Sequence, residues 1–387
     1  MKAFRHVIPA MRIHQGPKAL DALGAELDRV GSKRAVILCG NTLARPGSPM
    51  DKVREAMGDR LVEVYAGVKS DSPLPDVEQA AEALKRMKAD AIVAVGGGSA
   101  ITSARAINIL LSESGHAREL CTRRVASGEL VSPKLLAPKL PIINIPSTPT
   151  TATVKAGSAI LDTENGVRLA LFDPKARASA VFLDPDIVAS APTALVVSAG
   201  LNTLALTLEA LMSRRGDPLA DAMLIHASRL IGKQLAAASK SDDIDVRADL
   251  MAASLLSGIG SDYTGAGMAI PIGHAIATQF DIEMGLSDSI MMPHVVRFNA
   301  DHAKSGIEKI ATALEAREGS NPVEAVVTAL QSIYDALGLP ARLRDVGVDR
   351  DSLPKLAAIA FDDWYLQSNP RPIKSVEEVE QVLEHAW

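Results

Sequence analysis

The residues best suited to chemistry lie in residues 91–99, AIVAVGGGS. Five apolar residues suit a strand buried on both faces, and three glycines with Ser99 then open an apolar helical run, residues 100–111. A strand, glycine turn and helix in that order let backbone N–H groups approach an anion, and the helix N-terminus adds a favourable dipole. A pyrophosphate is the natural occupant. Gly96 and Gly98 supply only the first half of the G-x-G-x-x-G fingerprint, with Ile101 where the third glycine would stand. A tight turn with no ligand accounts for these residues equally well. A second candidate is PSTPTTAT, residues 146–153, which reads either as a solvated loop or as hydroxyl donors around phosphate and ribose. The two cysteines, Cys39 and Cys121, are too few for a thiolate metal site, and Cys39 reads as a buried thiol.

Strand patterns at residues 34–39, 61–65, 91–95, 141–145 and 180–183 must position these turns. Between them, residues 77–88 place Val77, Ala80, Ala81, Leu84 and Met87 on one helical face. That alternation implies a parallel sheet with helices on both faces, and nucleotides bind at the carboxyl ends of such strands. Glu164-Asn165-Gly166 punctuates a hairpin of residues 157–161 and 167–172. Beyond Pro192 the pattern turns helical, and a boundary near Asp186 divides an α/β dinucleotide-binding domain, 1–186, from an all-helical domain, 187–387. Ser375 and Glu378 form a capping box for the last helix, and residues 121–139 read as a solvated basic loop.

The chain has 387 residues, 47% hydrophobic and 22% charged, which excludes a largely disordered protein and favours two domains. A net charge of −5 without a basic run argues against nucleic acid. No signal-peptide core and no uninterrupted apolar stretch long enough for a bilayer are evident, so a cytoplasmic enzyme acting on a small molecule is expected.

Several stretches together resemble the iron-containing alcohol dehydrogenase superfamily: Gly40-Asn41-Thr42, residues 91–105, 146–151, 198–209 and 273–299, and Asn369-Pro370-Arg371. The resemblance implies a nucleotide-binding α/β domain, a helical domain, an active site in the cleft between them, and a homodimer. It also assigns cofactor contacts to Gly97, Gly98 and Ser99, to Thr148 and Thr151 near the nicotinamide and ribose, and to Asp71. Thr102 and Arg105 then adjust the helix beside the cofactor. Gly40 stands where metal-dependent members carry an Asp that selects NAD, so NADPH is expected to be tolerated and is a candidate for the preferred cofactor. Arg45 is a candidate phosphate partner.

The departures concern the metal. In metal-dependent members one Asp and three His hold iron or zinc, and the matching positions here are Asn202, Leu206, His274 and Met284. Leucine cannot ligate, and an amide is a poor donor for a divalent cation. No catalytic metal is expected, as in the metal-free maleylacetate reductases, which also tend to carry Asn where Asn202 stands. The resemblance therefore implies an NAD(P)H-dependent reductase of an activated alkene or carbonyl. His274 then supplies or steers the proton, Asn202 orients the substrate, and Lys155 pairs an acidic group, with Arg168 a weaker candidate. His294 reads as structural, and Thr278 replaces a further family His. Two alternatives are a metal enzyme with an unusual set such as His274 with Asp281 or Glu283, and a non-redox enzyme or binding protein on the same fold.

Overall fold

The computed structural model describes residues 3–125, 129–316 and 321–387. The chain divides into two compact units, Pro9–Pro192 and Thr193–Trp387, the latter joined by Met1–Ile8.

The first unit is built on a sheet of β1 (Arg12–Gln15), β2 (Ala35–Leu38), β3 (Leu61–Tyr65), β4 (Ala91–Gly96), β5 (Ile142–Pro146) and β8 (Ala178–Leu183), all parallel, in the order β1-β8-β5-β4-β2-β3. The hairpin β6 (Gly157–Asp162) and β7 (Val167–Phe172) stands apart from it. β2, β4 and β5 are buried at every residue, so β2 and β4 read as unbroken apolar runs and β5 is broken only by Asn144, whose amide donates to the Thr153 carbonyl at 2.8 Å. Helices α1 (Leu23–Arg29), α2 (Met50–Met57), α3 (Leu74–Met87) and α4 (Gly98–Ser112) connect the strands, and Leu23, Leu27, Met50 and Val53 join Ile37, Val93, Ile143 and Phe182 in one core. From β2 the chain runs outward to β3, and it then returns to β4 on the other side of β2. The switch point therefore falls between β2 and β4, at whose carboxyl ends Gly40 and the glycine turn stand.

Two expectations for this unit need correction. Arg105 does more than adjust a helix. It is 1% exposed, donates to the Gly157 carbonyl (3.0 Å), Ser158 Oγ (3.3 Å) and the Ala152 carbonyl, and so ties α4 to the hairpin and the threonine turn. The basic segment 121–139 is not simply solvated. Lys139 is fully buried against Glu113 (2.6 Å) and Asp173 (3.1 Å), because a buried ammonium must be paired, and Cys121 is buried too. Residues 126–128 of that segment lie outside the described residues.

The second unit comprises α5 (Thr193–Met212), α6 (Pro218–Ala238), α7 (Ile244–Thr264), α8 (Ala269–Phe280), α9 (Met284–Asn299), α10 (Lys304–Ala313), α11 (Pro322–Ala336), α12 (Leu353–Phe361) and α13 (Val376–Ala386). Among the described residues it contains no strand beyond the reach of Leu183. The division after Pro192, rather than near Asp186, follows from packing: Asp184 caps the short helix Pro185–Ala189, and Ile187 belongs to the core of the sheet. Helix α5 is long and apolar enough, by length and composition, to cross a membrane, a property the sequence reading missed; 72% of that window is buried inside the fold. The capping box at α13 is only partly made. The Ser375 side chain accepts no capping bond, and the Glu378 carboxylate takes the Lys374 N–H at 2.6 Å.

Candidate active site

In the first unit the carboxyl end of β4 delivers Gly96 at φ +137°, a conformation that suits glycine, and Gly97 caps α4. A Cβ at Gly97 would lie 3.3 Å from Thr148 Oγ1, and one at Gly98 would lie 3.2 Å from Thr150 Oγ1. The threonine run thus lies against the glycine turn, and Ser147 N–H donates to the Gly96 carbonyl at 2.9 Å. Thr148 and Thr151 are both nearly buried. Asp71 and Ser72, in the loop after β3, both have positive φ (59° and 51°). Ser72 Oγ donates to the Ser99 carbonyl at 3.2 Å, and Asp71 forms an ion pair with the buried Arg168. Gly40 caps the short helix Asn41–Ala44, with its loop tethered by the Val68 N–H to the Cys39 carbonyl (3.3 Å). Thr102 sits in the second turn of α4, where its carbonyl accepts from Ser158 Oγ (2.9 Å), and Lys155 closes the threonine turn. Gly40, Asp71, Gly97, Gly98, Ser99, Thr148 and Thr151 thus gather at the carboxyl edge of parallel strands. A glycine cradle faced by hydroxyls fits a nicotinamide dinucleotide.

In the second unit, His274 lies on α8. Its Nδ1 is 2.7 Å from Asp363 Oδ2, and the other carboxyl oxygen of Asp363 accepts the Tyr365 N–H at 2.8 Å. Asp363 is a residue the sequence reading missed. The only signal was an acidic pair, Asp362-Asp363, directly before Trp364-Tyr365 in a chain poor in aromatics. With Nδ1–H engaged by the carboxylate, Nε2 is the nitrogen left for chemistry. Trp364 and Tyr365 flank the imidazole, with ring centroids 5.4 and 6.2 Å away.

The four positions matched to the metal-binding quartet do not fit a divalent ion. Asn202 donates its amide to Asp288 Oδ2 at 2.7 Å, Leu206 is buried in α5, and Met284 begins α9. Glu283 accepts from Ser198 Oγ (3.1 Å), and among the described residues no group of three or more His, Cys, Asp or Glu could hold a metal ion. The alternative ligand set of His274 with Asp281 or Glu283 is therefore not assembled. Thr278 Oγ1 donates to the His274 carbonyl at 2.8 Å, and burial pushes His294 down to about 4, so its imidazole is neutral.

Behind His274 lie two buried carboxyl groups. Glu209 on α5 accepts the backbone N–H groups of Gly267 (2.8 Å) and Ala269 (2.5 Å), and so fixes the N-terminus of the helix that carries His274. Burial, with Asp363 nearby, pushes Glu209 up to about 7. Asp288 is raised well above the usual carboxylate range, again by burial. A raised folded-state value means that the fold favours the protonated acid. This stability is full below the unfolded value near 4.5 and is lost as pH rises through about 7. Urea unfolding at pH 5 and pH 8 is expected to show a loss of up to about 3 kcal/mol from this group. Glu209→Gln should lessen that pH dependence, and an unchanged slope would contradict the assignment.

Two family models cover nearly the whole chain: iron-containing alcohol dehydrogenase over residues 9–185, and the C-terminal region of the Fe-containing alcohol dehydrogenase family over residues 196–387. The chain belongs to the iron-containing alcohol dehydrogenase family. It is an oxidoreductase of that superfamily. The chain is similar to an NAD-dependent methanol dehydrogenase of Bacillus methanolicus, 26% identical with 98% of both chains covered. It is also similar to a maleylacetate reductase of Burkholderia cepacia, 27% identical with 100% of this chain and 98% of the relative covered. The structure of a 1,3-propanediol oxidoreductase matches its fold at a TM-score of 0.89 and 24% identity over the whole of both chains.

Proposed function

We propose that this protein is an NAD(P)H-dependent, metal-independent reductase of a small carbonyl compound or of an alkene activated by a carbonyl. The carrying observation is the His274–Asp363 pair at 2.7 Å, in a site where Asn202, Leu206 and Met284 stand in place of metal ligands. The similarity to both an alcohol dehydrogenase and a maleylacetate reductase supports the two substrate types. A bound reduced nicotinamide supplies the hydride. Gly97, Gly98 and Ser99 hold its pyrophosphate, with Thr148, Thr151 and Asp71 around the ribose and nicotinamide. Gly40 offers no carboxylate to repel a 2′-phosphate, which supports use of NADPH.

His274 does the work usually assigned to a Lewis acid. As imidazolium, with Asp363 balancing its charge, it donates a hydrogen bond from Nε2 to the carbonyl oxygen and transfers that proton as negative charge develops there. Asp363 is a positioning residue acting through His274. Asn202, oriented by Asp288, is assigned to hold the substrate, and Lys155 would pair with an acidic group if the substrate has one. Fluorescence titration of chelator-treated protein with NADPH and NADH tests the reading. Saturable binding is expected, with NADPH at least as tight as NADH; no binding of either would overturn it.

A further inference from the structure

The proton donor of the second unit is set in a corner of rings. Trp364 and Tyr365 lie 5.4 Å apart at 44°, and each ring is tilted by 38–39° to the His274 imidazole. The chain holds only 2 Trp and 4 Tyr, yet two of these six residues stand side by side at its one candidate acid. Both are half-buried, so each keeps part of its surface open.

Asp363 is committed to His274, and burial favours the neutral acid of the two carboxyl groups behind it, Glu209 and Asp288. With Asp363 balancing the imidazolium, the pair as a whole offers no net positive charge to a substrate carboxylate. A cationic substrate would in turn be repelled by the protonated imidazole. An uncharged planar group suits both conditions, because ring faces and edges attract another π-system in offset or edge-to-face arrangements.

We infer that the substrate is an uncharged conjugated carbonyl, an aryl or vinyl aldehyde or ketone, with its planar arm against Trp364 and Tyr365 and its oxygen at His274 Nε2. This deepens the reductase reading and rests on it. The C=O π bond breaks, and a C–H bond forms with the hydride of the reduced nicotinamide. An O–H bond forms with the Nε2 proton, the carbonyl becomes an alcohol, and the nicotinamide is oxidised. His274 is left neutral, with its proton on Nδ1 towards Asp363, and recovers a proton from water.

Calorimetric binding of cinnamamide, an unreactive planar carbonyl, and of fumarate to the full-length protein with NADP+ tests this without turnover. Cinnamamide is expected to bind at least about tenfold more tightly. Trp364→Ala should weaken it by about tenfold, while Trp364→Phe changes it little. Tighter binding of fumarate, or a folded Trp364→Ala protein with unaltered cinnamamide affinity, would overturn the inference. Parallel NADPH oxidation assays with cinnamaldehyde separate the two levels. Selective cinnamamide binding without turnover leaves the planar site standing and removes the reductase reading, whereas turnover of an unsaturated oxo-diacid in preference to cinnamaldehyde does the reverse.

Discussion

Asp363→Asn is expected to lower kcat by about 10²–10⁴-fold while KM moves by less than about threefold. The Asn carbonyl can still accept the Tyr365 N–H, now held at 2.8 Å, so the loop has reason to stay in place. The amide N–H, however, would face His274 Nδ1 and drive the neutral ring to its Nε2–H tautomer. The countercharge for the imidazolium would be lost as well. Nitrogen NMR of His274 reads the tautomer directly: Nδ1–H in the native protein, Nε2–H in the variant. His274→Ala should fall at least as far in kcat. A variant that turns over at the native rate would show that the 2.7 Å pair serves packing alone.

The second large effect is on stability. A Cβ at Gly285 would lie 2.1 Å from the Ser198 carbonyl oxygen and 2.8 Å from its carbon, so backbone meets backbone where α5 and α9 touch. No side-chain rotation relieves that contact, and Gly285→Ala is expected to cost about 3 kcal/mol or more in urea unfolding. The same crossing sets the site. Asn202 lies one turn beyond Ser198 on α5, Asp288 lies one turn beyond Gly285 on α9, and the two meet at 2.7 Å. Any surviving Gly285→Ala protein should therefore lose activity beyond its loss of stability. A cost below about 1 kcal/mol would mean that the helices can separate cheaply and that the Asn202–Asp288 contact is not fixed by their packing.

The sheet was legible because its central strands are buried on both faces, so residues 35–38 and 91–95 carry unbroken aliphatic runs and residues 142–145 a run broken only by Asn144. The glycine turn and the threonine run were each legible alone. Their apposition, Gly97 to Thr148 and Gly98 to Thr150, comes from the pairing of β4 with β5 and has no local signature. Lys139 was misread because a basic residue looks solvated in sequence, and the tie made by Arg105 was invisible for a related reason: only the fold supplies the carboxylates and carbonyls that let such a residue be buried. Asp363 stands 89 residues from His274, Asp288 stands 86 from Asn202, and Glu209 reaches about 60 residues ahead to cap α8. Carboxyl groups at such separations carry no periodicity that a single sequence exposes. The residue types at the positions matched to metal ligands, Leu206 and Met284 among them, are by contrast visible in the sequence itself.

Metal-free proton delivery by His274 is tested most directly by turnover of cinnamaldehyde with NADPH, using protein whose iron and zinc have been measured, before and after exhaustive chelation. Metal far below one ion per chain, a rate unchanged by chelation, and no gain on adding iron or zinc are expected. Activity that disappears with the metal and returns with it would contradict proton delivery by His274 and Asp363 without a Lewis acid.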